Sequence, residues 1–256
     1  MMSAPLKTFE ERTELKKSVL CLGLDPDPST HPDPRQKLLY CLDMVEKVSD
    51  YVAAVKINEN FVRDLCLEDH RRITSLTAEK GLVSIYDCKI GDIGNSSRAG
   101  LQLVRRMGYD FCTFNPILGN VAEVAREANR LGVGVLALLH PSNPESRRYY
   151  RAVVDGRKLY ELILEDLCST GVEGVVLGLH PDLTAREIAY VRERLGEERI
   201  ILFPGVGVQG GEPDAAITHG GRRILVNVGR AILGSPDPVQ AAARLSEQLR
   251  RAPRDI

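Results

Sequence analysis

Eight short apolar runs recur along the chain, and the segments between them decide what it can fold into. They are Val19–Leu24, Val52–Ile57, Leu82–Asp87, Asp110–Asn115, Val133–Leu139, Gly174–Leu179, Ile200–Gly205 and Ile224–Gly229. Most are nearly continuous in β-branched and aliphatic residues, the pattern of strands covered on both faces, as in a parallel sheet. The intervening segments carry helix signals. Asp33-Pro34 precedes Leu38, Cys41, Leu42, Val45 and Val48 at helical spacing. Thr184–Glu187 has capping-box spacing, with a stop expected near Gly196. Asp237-Pro238 opens a last helix with Ala241, Ala242, Leu245 and Leu249 on one face. Strand and helix alternating eight times read as one α/β domain over 1–256, a single (β/α)8 TIM barrel. A short helical segment precedes its first strand. A doubly wound open sheet is the structural rival, but the regular units and the glycine-rich turns after the last two runs favour the barrel.

Charge narrows the function classes. With 27% charged residues and a net charge of -1, acids and bases interspersed, the chain has no field to gather nucleic acid or an anionic membrane. The N-terminus is polar, without a signal-peptide core, and no run approaches the ~18 apolar residues of a membrane span. Six cysteines are scattered without metal-ligand spacing and read as reduced thiols of a cytoplasmic protein, with an intracellular disulfide left open.

In a barrel of this kind, chemistry sits at the C-terminal ends of the strands. Reading polar residues there gives Asp25 after the first run, Lys56 in the second, and Asp87 and Lys89 at the end of the third. A side-chain period of two puts Asp87 and Lys89 on one face and Cys88 on the other. Asp92 lies past the strand, where a loop could carry it to another partner. Singly, such residues snorkel or cap helices. Together they form an alternating array of lysines and carboxylates, which a stabilising core has little use for and an active site can use as preorganised charge.

Two glycine-rich turns follow the seventh and eighth runs, "FPGVGVQGGEP" and "VNVGRAI". These are the usual phosphate positions of the fold, with Gln209 and Arg230 as side-chain donors. The segment "HPSNPESRRYYRAVVDG" after the fifth run is too long for a simple connection and reads as a lid or ligand-contact loop, with Ser142 and Asn143 able to bond a polar heterocycle. His140 and His180 end strands without a third metal ligand in view and read as structural histidines; no metal site is expected.

With these residues in hand, the chain resembles the orotidine 5′-phosphate decarboxylase family. The hallmark Asp-x-Lys-x-x-Asp stands here as "DCKIGD", followed by "IGNS". "GLD", "VKIN", "SNPES", "PGVGVQGG" and "VGRAI" follow the family's order across almost the whole chain. The resemblance implies a cofactor-independent lyase converting orotidine 5′-monophosphate to UMP, the last step of pyrimidine nucleotide synthesis. Lys89 would donate a proton to the ring carbon that loses carboxylate, with Asp87 beside the departing group. Lys56 would hold the array and contact the ribose, and Asp25 would bind a ribose hydroxyl. Asp92, Ile93 and Ser96 would reach a neighbour's site across a homodimer. Ser142 would contact the pyrimidine, Pro204 would line its pocket, and Gln209, Gly229 and Arg230 would hold the phosphate. Ser96 replaces the more usual threonine, and Glu145 stands where many relatives carry glycine.

Two alternatives remain. One is a magnesium-dependent sugar-phosphate decarboxylase or aldolase of the same barrel group, which would need a metal-binding glutamate where Lys56 stands. The other is a non-catalytic barrel that binds a nucleotide.

Overall fold

The computed structural model describes residues 2–205 and 213–251. Eight parallel strands close into a barrel: β1 (Leu20–Gly23), β2 (Ala54–Asn58), β3 (Val83–Ile90), β4 (Phe111–Phe114), β5 (Gly134–His140), β8 (Gly174–Leu177), β9 (Ile200–Pro204) and β10 (Ile224–Val228). Between β5 and β8 a two-stranded antiparallel hairpin, β6 (Val153–Val154) and β7 (Arg157–Lys158), stands outside it. Around the ring each strand neighbours the next in chain order, and β1 closes on β10 through Leu20↔Val226 and Cys21↔Asn227. All eight expected runs became barrel strands, differing by a few residues at their ends.

The expected helix signals act as read. Asp33 accepts a bond from the Gln36 amide at 2.9 Å and Pro34 opens the helix Pro34–Val48. Thr184 and Glu187 close a capping box on Ala185–Leu195, and Asp237 accepts from the Gln240 amide at 2.9 Å at the head of Pro238–Arg251. These caps satisfy amides that a helix cannot pair internally.

The core is double. One apolar layer lies between sheet and helices; a second fills the barrel with Cys21, Ala54, Val83, Ile85, Phe111, Leu136, Leu138, Val176, Ile200, Leu202 and Leu225. The helix Ala4–Lys16 supports the inner core from outside the ring. Its Phe9 is buried and meets Phe111 edge-on, ring centroids 6.5 Å apart. Arg12 ties the same helix to Asp110 at 2.6 Å and to the Leu82 carbonyl at 2.7 Å. At Gly174 a side chain is sterically impossible, since a Cβ would lie 2.2 Å from the Ile200 carbonyl oxygen.

Sequence reading left the β6–β7 hairpin unassigned, although Asp155-Gly156 is a strong hairpin signal. Both residues take positive φ, 51° and 79°, as the tight two-residue turn requires.

Candidate active site

Period-two alternation carries each inner strand face up to the same mouth. Ala54 lies in the inner core and Lys56 and Asn58 follow it on β2; Val83 and Ile85 are succeeded by Asp87 on β3; Phe111 by Thr113 on β4. There the residues surround a cavity of about 310 Å³. Asp25, Lys56, Asp87 and Lys89 line one side, and Pro204, Gly229 and Arg230 another. Ser142 and Asn143 overhang it, while Leu138, Val176 and Leu202 give it an apolar floor.

Asp87 is the hub. Its Oδ2 accepts from Lys56 Nζ at 2.7 Å, and its Oδ1 accepts from Lys89 Nζ at 2.7 Å and from the Thr113 hydroxyl at 2.9 Å. Burial pushes its carboxyl up, but the two ammonium groups outweigh burial and hold it well below the usual carboxylate range. Burial likewise opposes the charge on Lys56, yet Asp87 and Asp25 keep its pKa above the ordinary lysine value. The two lysines differ in access: the side chain of Lys56 is 7% exposed and that of Lys89 45%. One ammonium is locked in the array, and the other faces the cavity. Asp25 accepts from the Asn58 amide at 3.1 Å.

Asp87 and Lys89 meet, but simple alternation is not the reason. β3 continues to Ile90 and bulges against β4, and Lys89 takes a left-handed φ of 46°. Asp92, Ile93 and Ser96 are exposed and stand away from this chain's cavity. Ile93 is 60% exposed at the head of the helix Gly94–Met107. Among the described residues, the Asp92 carboxylate accepts from the adjacent Ile93 amide at 2.8 Å, and its carbonyl accepts from Asn120 at 2.9 Å. Gln209 lies outside the described residues. At Gly229, just past β10, a Cβ would sit 2.9 Å from the Gly23 carbonyl oxygen at the end of β1, so the chain passes this close only without a side chain there.

Three polar side chains that line the cavity escaped the sequence reading: Asn58, Thr113 and Asn227. Thr113 and Asn227 are each a lone polar side chain in an otherwise apolar run, and Asn58 lies two residues past Lys56 on the same strand face; that was the available signal. Asn227 keeps a buried amide oxygen without a partner among the described residues.

The long segment after β5 is ordered rather than irregular. It contains a 3-10 turn (Pro144–Ser146), a helical turn (Arg147–Tyr150) and the hairpin. Glu187 fastens it, 2.9 Å from Arg151 and 3.1 Å from Lys158, and Asp182 pairs with Arg147. Burial raises the Glu187 carboxyl, but the Thr184 amide and these two cations bring it down to about 2.

Beneath it His140 and His180 pack together with their rings tilted by 33°, centroids 4.9 Å apart, and both are buried. His180 Nδ1 accepts from the Asp182 amide at 3.2 Å, and His140 Nδ1 donates to the Pro141 carbonyl at 2.8 Å. Burial, His140, Arg147 and Arg151 depress His180 from 6.5 to about 4, over the opposing pull of Asp182. A folded pKa below the unfolded one gives stability that is full above 6.5 and lost as pH falls toward 4. The melting temperature should therefore drop across that window, and His180→Gln should flatten the drop. An identical slope in the variant, measured by thermal scanning at fixed salt, would contradict this.

The closed parallel sheet and the ion array at the C-terminal strand ends define a (β/α)8 barrel with its polar centre in the barrel mouth. Comparison with known proteins makes the assignment specific. The chain belongs to the orotidine 5′-phosphate decarboxylase / HUMPS family, whose sequence profile matches residues 18–245. It is 33% identical to a protein of Azoarcus sp. (strain BH72) named orotidine 5′-phosphate decarboxylase, over 90% of each chain. A protein of the same name from Pyrococcus abyssi is 31% identical over 82% of this chain and 92% of its own. Among solved structures, a putative orotidine-monophosphate decarboxylase from Toxoplasma gondii superposes with a TM-score of 0.85 at 23% identity, covering 96% of both chains, a likeness of fold.

Proposed function

We propose that this chain decarboxylates orotidine 5′-monophosphate to UMP, without a cofactor, as a carbon–carbon lyase of pyrimidine nucleotide synthesis. The observation that carries the reading is the Lys56–Asp87–Lys89 chain at the cavity wall, with Lys89 open to the cavity. In this reaction the bond between the ring carbon and its carboxylate breaks, carbon dioxide leaves, and the electron pair stays on the ring carbon. Lys89 gives that carbon a proton and regains one from solvent. The pair has no good place to delocalise on the ring, so placed charge must stabilise it as it forms. Asp87 sits beside the departing carboxylate, and Lys56 keeps Asp87 ionised and in place.

The remaining roles follow the cavity. Asp25 accepts from a ribose hydroxyl; Ser142 and Pro204 hold the pyrimidine above the apolar floor. Gly229 and Arg230, with Gln209, take the phosphate. Phosphate binding away from the ring supplies energy for ordering the site. Asp92, Ile93 and Ser96, exposed and clear of their own chain's cavity, complete the site of a second copy in a homodimer, for which subunit mixing is the check. A cytosolic setting agrees with six free cysteines, Cys66 among them at the surface, and no helix of the described residues is long and apolar enough to cross a membrane.

The magnesium-dependent sugar-phosphate reading of the same family meets a specific obstacle. A divalent cation at this wall would face the buried Lys56 ammonium, itself engaged on the carboxylate the metal would need. The test follows loss of orotidine 5′-monophosphate absorbance by purified protein, with and without EDTA. Chelator-resistant conversion to UMP is the expected result. Tight UMP binding without turnover would establish the nucleotide-binding alternative instead.

A further inference from the structure

The bulge in β3 is the most unusual backbone feature of the site. Tyr86 pairs with Cys112 and Ile90 with Phe114. Residues 87–89 of β3 therefore stand opposite the single residue Thr113 of β4. A bulge of this kind takes backbone groups out of the ladder, and something else must satisfy them. Lys89 also sits at φ 46°, a left-handed region that strains a residue with a side chain and persists only where surroundings enforce it.

One hydroxyl answers both needs. The Lys89 amide donates to Thr113 Oγ1 at 2.8 Å, in place of the missing ladder bond. The same oxygen donates its own hydrogen to Asp87 Oδ1 at 2.9 Å, beside the Lys89 ammonium at 2.7 Å. Thr113 is 1% exposed, so no solvent takes over either bond. Only a group that accepts and donates at one atom can bridge a backbone amide and a carboxylate here; a carboxamide would be too large and a methyl group mute.

We propose that Thr113 is a positioning residue: its hydroxyl locks the bulge so that Lys89 and Asp87 meet the reacting carbon and its leaving carboxylate in register. This rests on the decarboxylase reading and adds a part to it. Thr113 need not touch the ring. It sets the backbone from which Lys89 projects and fixes one oxygen of Asp87, leaving the phosphate and ribose contacts of Asp25 and Arg230 alone. Losing it misplaces the array by a fraction of an ångström. Misplacement near reacting atoms slows the chemical step more than it weakens binding.

The experiment compares wild type, Thr113→Val, Thr113→Ala and Thr113→Ser for kcat, KM and inhibition by UMP, with melting temperatures alongside. Valine keeps the shape and removes the hydroxyl; alanine serves if the branched residue fails to fold. Both should lower kcat by about 10- to 100-fold while inhibition by UMP shifts by no more than about threefold. Serine, which keeps the hydroxyl, should recover most of the turnover. A Thr113→Val protein with wild-type kcat would overturn the proposal, whatever its melting temperature. So would equal losses in the valine and serine variants, because the hydroxyl would then not be the working group. Wild-type protein that leaves orotidine 5′-monophosphate untouched would sink the decarboxylase reading and this role with it; normal wild-type turnover with an indifferent Thr113→Val sinks this role alone.

Discussion

Lys89→Ala is expected to lower kcat for orotidine 5′-monophosphate by about 10³- to 10⁴-fold, the combined scale of a lost proton donor and a lost preorganised charge. The fold should survive, because the Lys89 side chain is half exposed and Asp87 keeps Lys56 and Thr113 as partners. The loss would then be chemical rather than structural. Its pattern across ligands is as informative as its size. Without the Lys89 ammonium, a substrate carboxylate would face Asp87 with less compensation, whereas UMP carries no carboxylate there. Substrate binding should weaken more than UMP binding. A variant within tenfold of wild-type turnover would remove Lys89 from the central role.

Mixing two inactive variants should restore activity, the second large effect. Asp92→Ala alone should lose most turnover, although Asp92 stands clear of its own chain's cavity and spends its carboxylate on the neighbouring Ile93 amide. If Asp92 serves the partner's site, a heterodimer of Asp92→Ala with Lys89→Ala holds one site with both defects and one with neither. Random exchange of subunits in equal amounts then yields about a quarter of the wild-type sites, from subunits that are each nearly silent. No recovery after exchange, verified by mass or tagged co-purification, would place Asp92 in its own subunit's chemistry or outside the reaction. The exposure of Ile93 and Ser96 beside it, at the start of the helix Gly94–Met107, is why the interface reading is preferred.

Much of the site was legible for one geometric reason. Along β2 and β3, residues two apart share a face, so Ala54 fixes the direction of Lys56 and Ile85 that of Asp87. Apolar runs locate the strands; their polar ends therefore locate the mouth. Asn58, Thr113 and Asn227 lie on the same faces and could have been found by the same count. Thr113 and Asn227 stand alone in apolar runs and Asn58 ends its strand beside Glu59 and Asn60, so none of the three shows a partner in one dimension. The hairpin of the segment after β5 had its Asp155-Gly156 signal, whereas the ties that hold that segment, from Arg151 and Lys158 to Glu187, span 36 and 29 residues and left no local trace.

The sequence by itself determined the strand–helix alternation, the caps at Asp33, Thr184 and Asp237, and the set of charged strand ends, because each depends on spacing within one segment. Only the tertiary structure decided how the charges engage. Alternation placed Asp87 and Lys89 on one face, but a bulge against Thr113 and a left-handed Lys89 bring the ammonium to the carboxylate. The division between a buried Lys56 and an open Lys89 is likewise tertiary, since exposure is set by which strands close around a side chain. Periodicity is a property of the chain; desolvation and register belong to the barrel, and they turn four ordinary ions into a site.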